Sequence, residues 1–158
     1  MGVALQIEKL AHLLPELREV LPVQYAETGD PDLPCNPIWL AYEKLEELGV
    51  LTIVTMRDDG RLAGYATCMF HPHPNSGTVK VGTVPTFWVE PRPNRAFLLR
   101  SLLQGAVDTL WSKGAAQVSI ETEPAHSCGR LLQAMGAEVG KISYCLKRQA
   151  AKQEAVNA

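Results

Sequence analysis

The chain has 158 residues, enough for one domain with a sizeable core, and its 46% hydrophobic and 20% charged content is ordinary for a globular protein. Its 15 basic and 17 acidic residues give a net charge of −2 and lie scattered, which argues against nucleic-acid binding through bulk electrostatics. No run approaches the ~18 apolar residues of a membrane span, and Glu8 and Lys9 fall where a signal peptide needs its apolar stretch, so a cytoplasmic protein without a membrane partner is expected.

Val3 to Ile7 alternates weakly and reads as a short edge strand. Leu10, Leu13, Leu14, Leu17 and Leu21 then recur at helical spacing, and the helix is expected to end or kink near Pro22, which has no N–H to donate. Gly29 to Pro34 is a loop by composition. Asn36 and Pro37 suit the start of a second helix with Ile38, Ala41, Tyr42, Leu45 and Leu48 on one face and Gly49 beyond its end.

The hydrophobic period next changes from 3.6 to 2. Val50 to Met56 and Leu62 to Phe70 read as strands joined by an Asp59-Gly60 hairpin turn. His71 to Gly77 is expected to be a loop, and Val79 to Val89 a third strand in which Pro85 marks a bulge or an edge. Asn94 suits the N-cap of a helix from Arg95 to Lys113, whose apolar stripe of Leu98, Leu99, Leu102, Leu103, Ala106, Val107, Leu110 and Trp111 stops at Gly114. Gln117 to Thr122 is expected to be a strand, Ser127 to Met135 a helix and Glu138 to Leu146 a last strand, making one domain over residues 1–148. The polar tail 149–158 has no core-facing pattern and is expected to be disordered.

The junction of strand and helix from Trp88 to Leu99 is the best candidate ligand site. The first N–H groups of a helix are unpaired and its dipole points outward, which suits a phosphate. Phosphate-cradling loops normally use glycine for close approach, and Pro91 to Leu99 contains none. Arg92, Arg95 and Arg100 offer guanidinium charge in its place, although charged residues at a helix start are mostly just solvated. Glu121 and Glu123 end a strand beside the expected cleft and could serve as bases, with Glu90 sharing that ambiguity.

His71 and His73 point the same way in an extended chain, as a proton relay or metal pair would require, but no third ligand accompanies them and no metal site is expected. Cys35, Cys68, Cys128 and Cys145 form no C-x-x-C pair and read as buried free thiols. Tyr144, Trp39, Trp88 and Trp111 read as core residues. Unpaired strand edges leave a homodimer open.

The element order, with Arg57 to Tyr65, Val89-Glu90-Pro91, Leu102-Leu103 and Met135-Gly136-Ala137, resembles the GNAT acetyltransferase superfamily over nearly the whole ordered chain. Val23 to Glu27 and His71-Pro72-His73 further resemble a branch of that superfamily found in bacteriophage genomes. The resemblance implies an α+β fold with a mixed, mostly antiparallel sheet of about six strands flanked by four helices. It implies acetyl-CoA as donor, with the pantetheine on the backbone near Phe87, Trp88 and Val89 and the pyrophosphate on Asn94, Arg95, Ala96 and Phe97. Glu121 is then the candidate base and His73 a candidate relay.

The same resemblance puts the family's Arg/Gln-x-x-Gly-x-Gly/Ala loop across Pro91 to Leu99, with Arg95, Phe97 and Leu99 near or at the glycine places, and puts its thiolate-protonating tyrosine at Leu132. Three functions stay open on this basis. One is acetyl transfer to a small-molecule or protein amine. Another is a catalytically silent binding or structural protein that partners phage structural proteins in a virion. The third is transfer from another acyl donor or modification of a nucleobase, which the lack of a basic surface disfavours.

Overall fold

The computed structural model describes residues 2–123 and 128–147. Its elements run β1 (Val3–Glu8), α1 (Leu10–Thr28), α2 (Trp39–Glu47), β2 (Leu51–Asp58), β3 (Arg61–His73), β4 (Ser76–Val89), α3 (Arg95–Ser112), β5 (Val118–Ile120) and α4 (Cys128–Ala134). The strands form one sheet in the order β1-β2-β3-β4-β5, antiparallel except for the β4/β5 pair.

Two cores cover the two faces of the sheet. On one, Leu98, Leu102, Leu103, Ala106 and Leu110 of α3 pack on Val54, Met56, Ala66, Cys68, Val84 and Val89. On the other, Leu10, Leu13 and Leu17 of α1 pack on Leu51, Ile53, Leu62, Tyr65 and Trp88, with Trp39 and Leu45 of α2 at the margin. The β2/β3 hairpin turns through Asp59 and Gly60 at φ +48° and +82°. Consecutive left-handed residues match the right-handed twist of the strands they join, and Asp-Gly tolerates that conformation.

Arg57 ties this hairpin to the first two elements. Its Nε and Nη2 donate to the two Glu8 oxygens at 2.9 Å each, and its Nη1 donates to Glu16 of α1 at 2.7 Å and to the Gly60 carbonyl at 3.1 Å. Glu16 in turn accepts from the Leu62 backbone N–H at 3.2 Å. The Arg57 hydrogen bond holds the Glu8 carboxyl down at about 2.

Several expectations need correction. α1 does not stop at Pro22 but continues to Thr28, because tertiary bonds hold its last turns in place of the lost backbone bond. Gln24 there is buried and accepts from the Tyr65 hydroxyl, and the Tyr25 hydroxyl donates to the Leu33 carbonyl at 2.8 Å. α2 begins at Trp39, with no side-chain cap from Asn36, and turns Trp39 and Leu45 inward while Ile38 and Leu48 face solvent.

The expected loop at 71–77 shrinks to Pro74-Asn75, since β3 runs on to His73 and pairs it with Ser76. Among the described residues the sheet has five strands rather than about six. Glu138 to Leu146 forms none, and Ile142, Tyr144 and Leu146 are exposed, so Tyr144 is not a core residue. β5 is three residues long and presents few backbone groups to a further strand, while Lys147 ion-pairs with Asp30 at 3.1 Å and also with Asp32. Trp111 is half exposed on α3, and of the cysteines only Cys68 is buried. The expected tail at 149–158 lies outside the described residues.

Gly64 sits where β3 and β4 press together, and a Cβ there would meet the Trp88 carbonyl at 2.7 Å and the Val89 side chain at 2.9 Å. Gly64→Ala is therefore expected to cost about 1–3 kcal/mol in urea denaturation, the usual penalty for overpacking. Because the folded-state Glu8 carboxyl titrates at about 2, below its ordinary value, its stabilisation is full above the ordinary carboxylate range and is lost as pH falls toward 2. Glu8→Gln should flatten that part of the stability profile between about pH 5 and 2, measured by urea melts at each pH.

Candidate functional site

The site begins at a fork in the sheet. β5 runs beside β4 only from Gly82↔Val118 to Val84↔Ile120, and Glu121 adds a last rung by donating its N–H to the Val84 carbonyl at 3.1 Å. Beyond it stands Pro85, which has no N–H to offer a ladder. Between the pairs Thr67↔Thr86 and Met69↔Thr83, Val84 and Pro85 both oppose Cys68, so β4 carries a bulge there, as its proline suggests.

Past the bulge the Glu90 N–H donates to the Ala63 carbonyl at 2.9 Å. Strand alternation then turns the backbone groups of Thr86 and Trp88 toward β3 and those of Phe87 and Val89 toward the open fork. One of the latter is already engaged. The Val89 carbonyl accepts from Arg95 Nε at 2.8 Å.

Arg95 is the first residue of α3, and its Nη1 also ion-pairs with Glu27 Oε1 at 2.5 Å. Glu27 lies in the last turn of α1, and its Oε2 accepts from the buried Trp88 indole at 3.2 Å. The Asn94 side chain makes no cap bond, contrary to expectation. Ala96 and Phe97 are exposed, Phe97 to 72%, so the phenyl ring projects into solvent, while Leu99 packs against the core.

The neighbouring charges are paired as well. Arg92 Nη1 contacts Asp58 at 2.8 Å and Glu90 at 3.4 Å, and Arg61 grips both Glu90 oxygens at 2.6 Å. The Arg61 hydrogen bonds hold the Glu90 carboxyl below its ordinary value, so Glu90 is a poor base.

On the α2 side of the fork lies a cavity of about 410 Å³. Tyr42, Leu45, Thr67, Met69, His71, Thr83, Pro85, Thr86 and Glu121 line it. Glu121 is thus placed beside a volume that suits a small ligand. Of the two histidines, His71 lines the cavity, and His73 sits at the hairpin turn with its Nδ1 accepting from the Asn75 N–H at 3.2 Å. Strand alternation with Thr67 and Met69 accounts for His71 at the cavity, but His73 has the same parity and is set apart only by the register shift at the hairpin end.

Tyr25 and Glu27 do not line the cavity. The first closes the loop after α1 and the second binds Trp88 and Arg95. Leu132 is buried in the core, and burial pushes the Cys68 thiol up to about 12, so neither supplies a proton near neutral pH. Among the described residues no group of His, Cys, Asp or Glu side chains could hold a metal ion, and no helix is long and apolar enough to cross a membrane.

No protein-family description matches the chain, and no curated protein does. Solved structures do match in three dimensions. Ribosomal-protein-alanine N-acetyltransferase from Brucella melitensis shares 20% identity, with 94% of this chain and 100% of that one aligned at a TM-score of 0.69. An acetyltransferase from Trypanosoma brucei gives 20% identity over 93% and 100% at 0.70, and glucosamine-6-phosphate N-acetyltransferase from Arabidopsis thaliana 13% over 94% and 100% at 0.72. The fold is that of the GNAT acetyltransferases.

GNAT acetyltransferases generally use acetyl-CoA, and the fork of this sheet presents groups of the chemical kind such a ligand needs. The outward backbone groups of Phe87 and the N–H of Val89, whose carbonyl Arg95 holds, suit an amide-bearing arm added as a strand edge. At the phosphate end the chain offers the first-turn N–H groups of Ala96 and Phe97 and the Arg95 guanidinium in place of a glycine nest.

The geometry makes Gln24 the anchor that carries Glu27 to this joint. Tyr65→Phe would leave the buried Gln24 oxygen without its donor. The expected cost is about 1–3 kcal/mol in thermal or urea unfolding, with the sheet retained by circular dichroism.

Proposed function

We propose that the chain is an N-acetyltransferase that moves an acetyl group from acetyl-CoA to a small amine held in the cavity on the α2 side of the fork. The observation that carries this reading is the placement of Glu121. Its backbone is pinned to the last rung of β4/β5, and its side chain lines a cavity that opens at the fork beside the outward edge of β4.

An amine must shed a proton as its nitrogen bonds to the acetyl carbon. Glu121 is the carboxylate placed to accept it, directly or through water, and His71 lies on the same cavity wall. The carbon–sulfur bond then breaks, and the departing thiolate takes its proton from solvent, since Leu132 stands where the superfamily's tyrosine is expected. The hydroxyls of Thr67, Thr83, Thr86 and Tyr42 give the acceptor polar partners against the apolar wall of Leu45 and Met69.

Titration calorimetry with acetyl-CoA, followed by thiol release with a panel of small amines, tests the reading. Glu121→Gln should lower kcat by about 10²–10⁴-fold with donor affinity unchanged, and His73→Ala should leave turnover near that of the parent. Absence of heat and of a thermal shift at millimolar acetyl-CoA would overturn the proposal. A second reading, a GNAT-fold domain that binds without turnover, for instance as a component of a phage particle, is favoured by the engagement of Arg92 and Arg95 with carboxylates of the chain itself. Any acetyl transfer by the unmodified protein refutes it.

A further inference from the structure

Arg95 is the one cation that the strand-to-helix joint offers directly at the helix mouth, and it is already bound on two sides. Its Nε is on the Val89 carbonyl at 2.8 Å, at the outward edge of β4. Its Nη1 is on Glu27 Oε1 at 2.5 Å, and the second Glu27 oxygen accepts from the Trp88 indole at 3.2 Å. The side chain therefore lies across the passage between the β4 edge and the first turn of α3.

We infer that Glu27 is an internal competitor for this guanidinium, and that a phosphate-bearing donor binds only by taking Arg95 from it. The inference rests on the donor-site reading above and adds its regulation. Three observations carry it. The pair is an ion pair by which the end of α1 reaches the start of α3. Both side chains are about one-third exposed, 33% for Arg95 and 35% for Glu27, so the pair can open to an incoming anion without unpacking the core.

The third is a difference between neighbours. Arg92 and Arg61 take their carboxylates from Asp58, which ends β2, and from Glu90, which directly follows β4, so those pairs brace the sheet itself. Glu27 instead belongs to the helical turns beyond Pro22, which lack one backbone bond and are held by Gln24 and Tyr25. Arg95 is a fork with five donors, of which Glu27 and Val89 use only part. A phosphate at the helix mouth gains the dipole and the N–H groups as well as the guanidinium, whereas Glu27 holds the guanidinium from the far end of α1, away from that dipole.

By linkage, whatever Glu27 contributes to holding Arg95 is subtracted from donor affinity, and donor binding loosens the end of α1 by the same factor. That end leads through the Tyr25 bonds to Asp30 and Leu33, and so toward α2, whose Tyr42 and Leu45 line the acceptor cavity. The donor thus reports its arrival to the acceptor wall through a single carboxylate.

Coenzyme A affinity measured by calorimetry on four proteins decides the matter: the parent, Glu27→Gln, Arg95→Gln and the double variant. Glutamine keeps an oxygen for the Trp88 indole while removing the charge, so E27Q is expected to fold, checked by its melting curve. The expected result is coenzyme A binding about 5- to 10-fold tighter in E27Q and weaker in R95Q, with E27Q adding nothing in the R95Q background. Equal affinity of parent and E27Q, or tightening that persists without Arg95, overturns the inference and leaves the donor site standing. Failure of coenzyme A to bind any of the four proteins overturns both.

Discussion

The extra residue that β4 inserts opposite Cys68 governs everything on the functional side of this molecule. Before the bulge, Gly82 and Val84 turn their backbones to β5 and their positions to the α3 face, where Gly82 abuts Leu110. After it the parity flips, and Phe87 and Val89 take that face and edge while Trp88 passes to the α1 side. Because side chains alternate with period 2, a shift of one residue exchanges the two sets completely. Without it, Trp88 would not meet Glu27, and Val89 would not present its carbonyl to Arg95.

The bulge also opens the fork. The next backbone group due to face β5 is that of Thr86, and the bulge turns it to β3 instead, so a three-residue parallel ladder closes on Glu121. The two strands then diverge around a cavity on one face and the start of α3 on the other. A short strand and a one-residue bulge therefore create both the open edge of β4 and the position of Glu121 beside the cavity.

Charge is balanced within the joint rather than left for a ligand. Arg61, Arg92 and Arg95 each contact a carboxylate supplied by a different part of the chain. A glycine nest would bind phosphate through backbone groups that have no other partner, whereas a guanidinium binds it in exchange for a partner it already holds. Affinity at such a site is a difference between two ion pairs, and either carboxylate or ligand can tune it.

Much was legible along the chain because it depends on near neighbours. The Asp59-Gly60 turn, the α3 stripe ending at Gly114, the bulge at Pro85 and the position of Glu121 at a strand end all follow from backbone preferences or from periodicity over a few residues. The persistence of α1 past Pro22 does not, because it is maintained by Tyr65, which lies 41 residues from Gln24. The exposure of Ile142, Tyr144 and Leu146 likewise contradicts a clean strand pattern, since alternation prepares a segment to pair but a short β5 offers little to pair with.

By itself, then, the amino-acid sequence determined the order of elements as far as α4, the hairpin, the strand-to-helix joint and its want of glycine, all consequences of local chemistry. Only the tertiary structure decided that Arg95 holds the Val89 carbonyl and Glu27, that His71 and not His73 lines the cavity, and that Tyr25 and Glu27 serve different purposes. Those are contacts between residues distant in the chain. Their partners are chosen by how helices and strands pack, and local pattern carries no record of that choice.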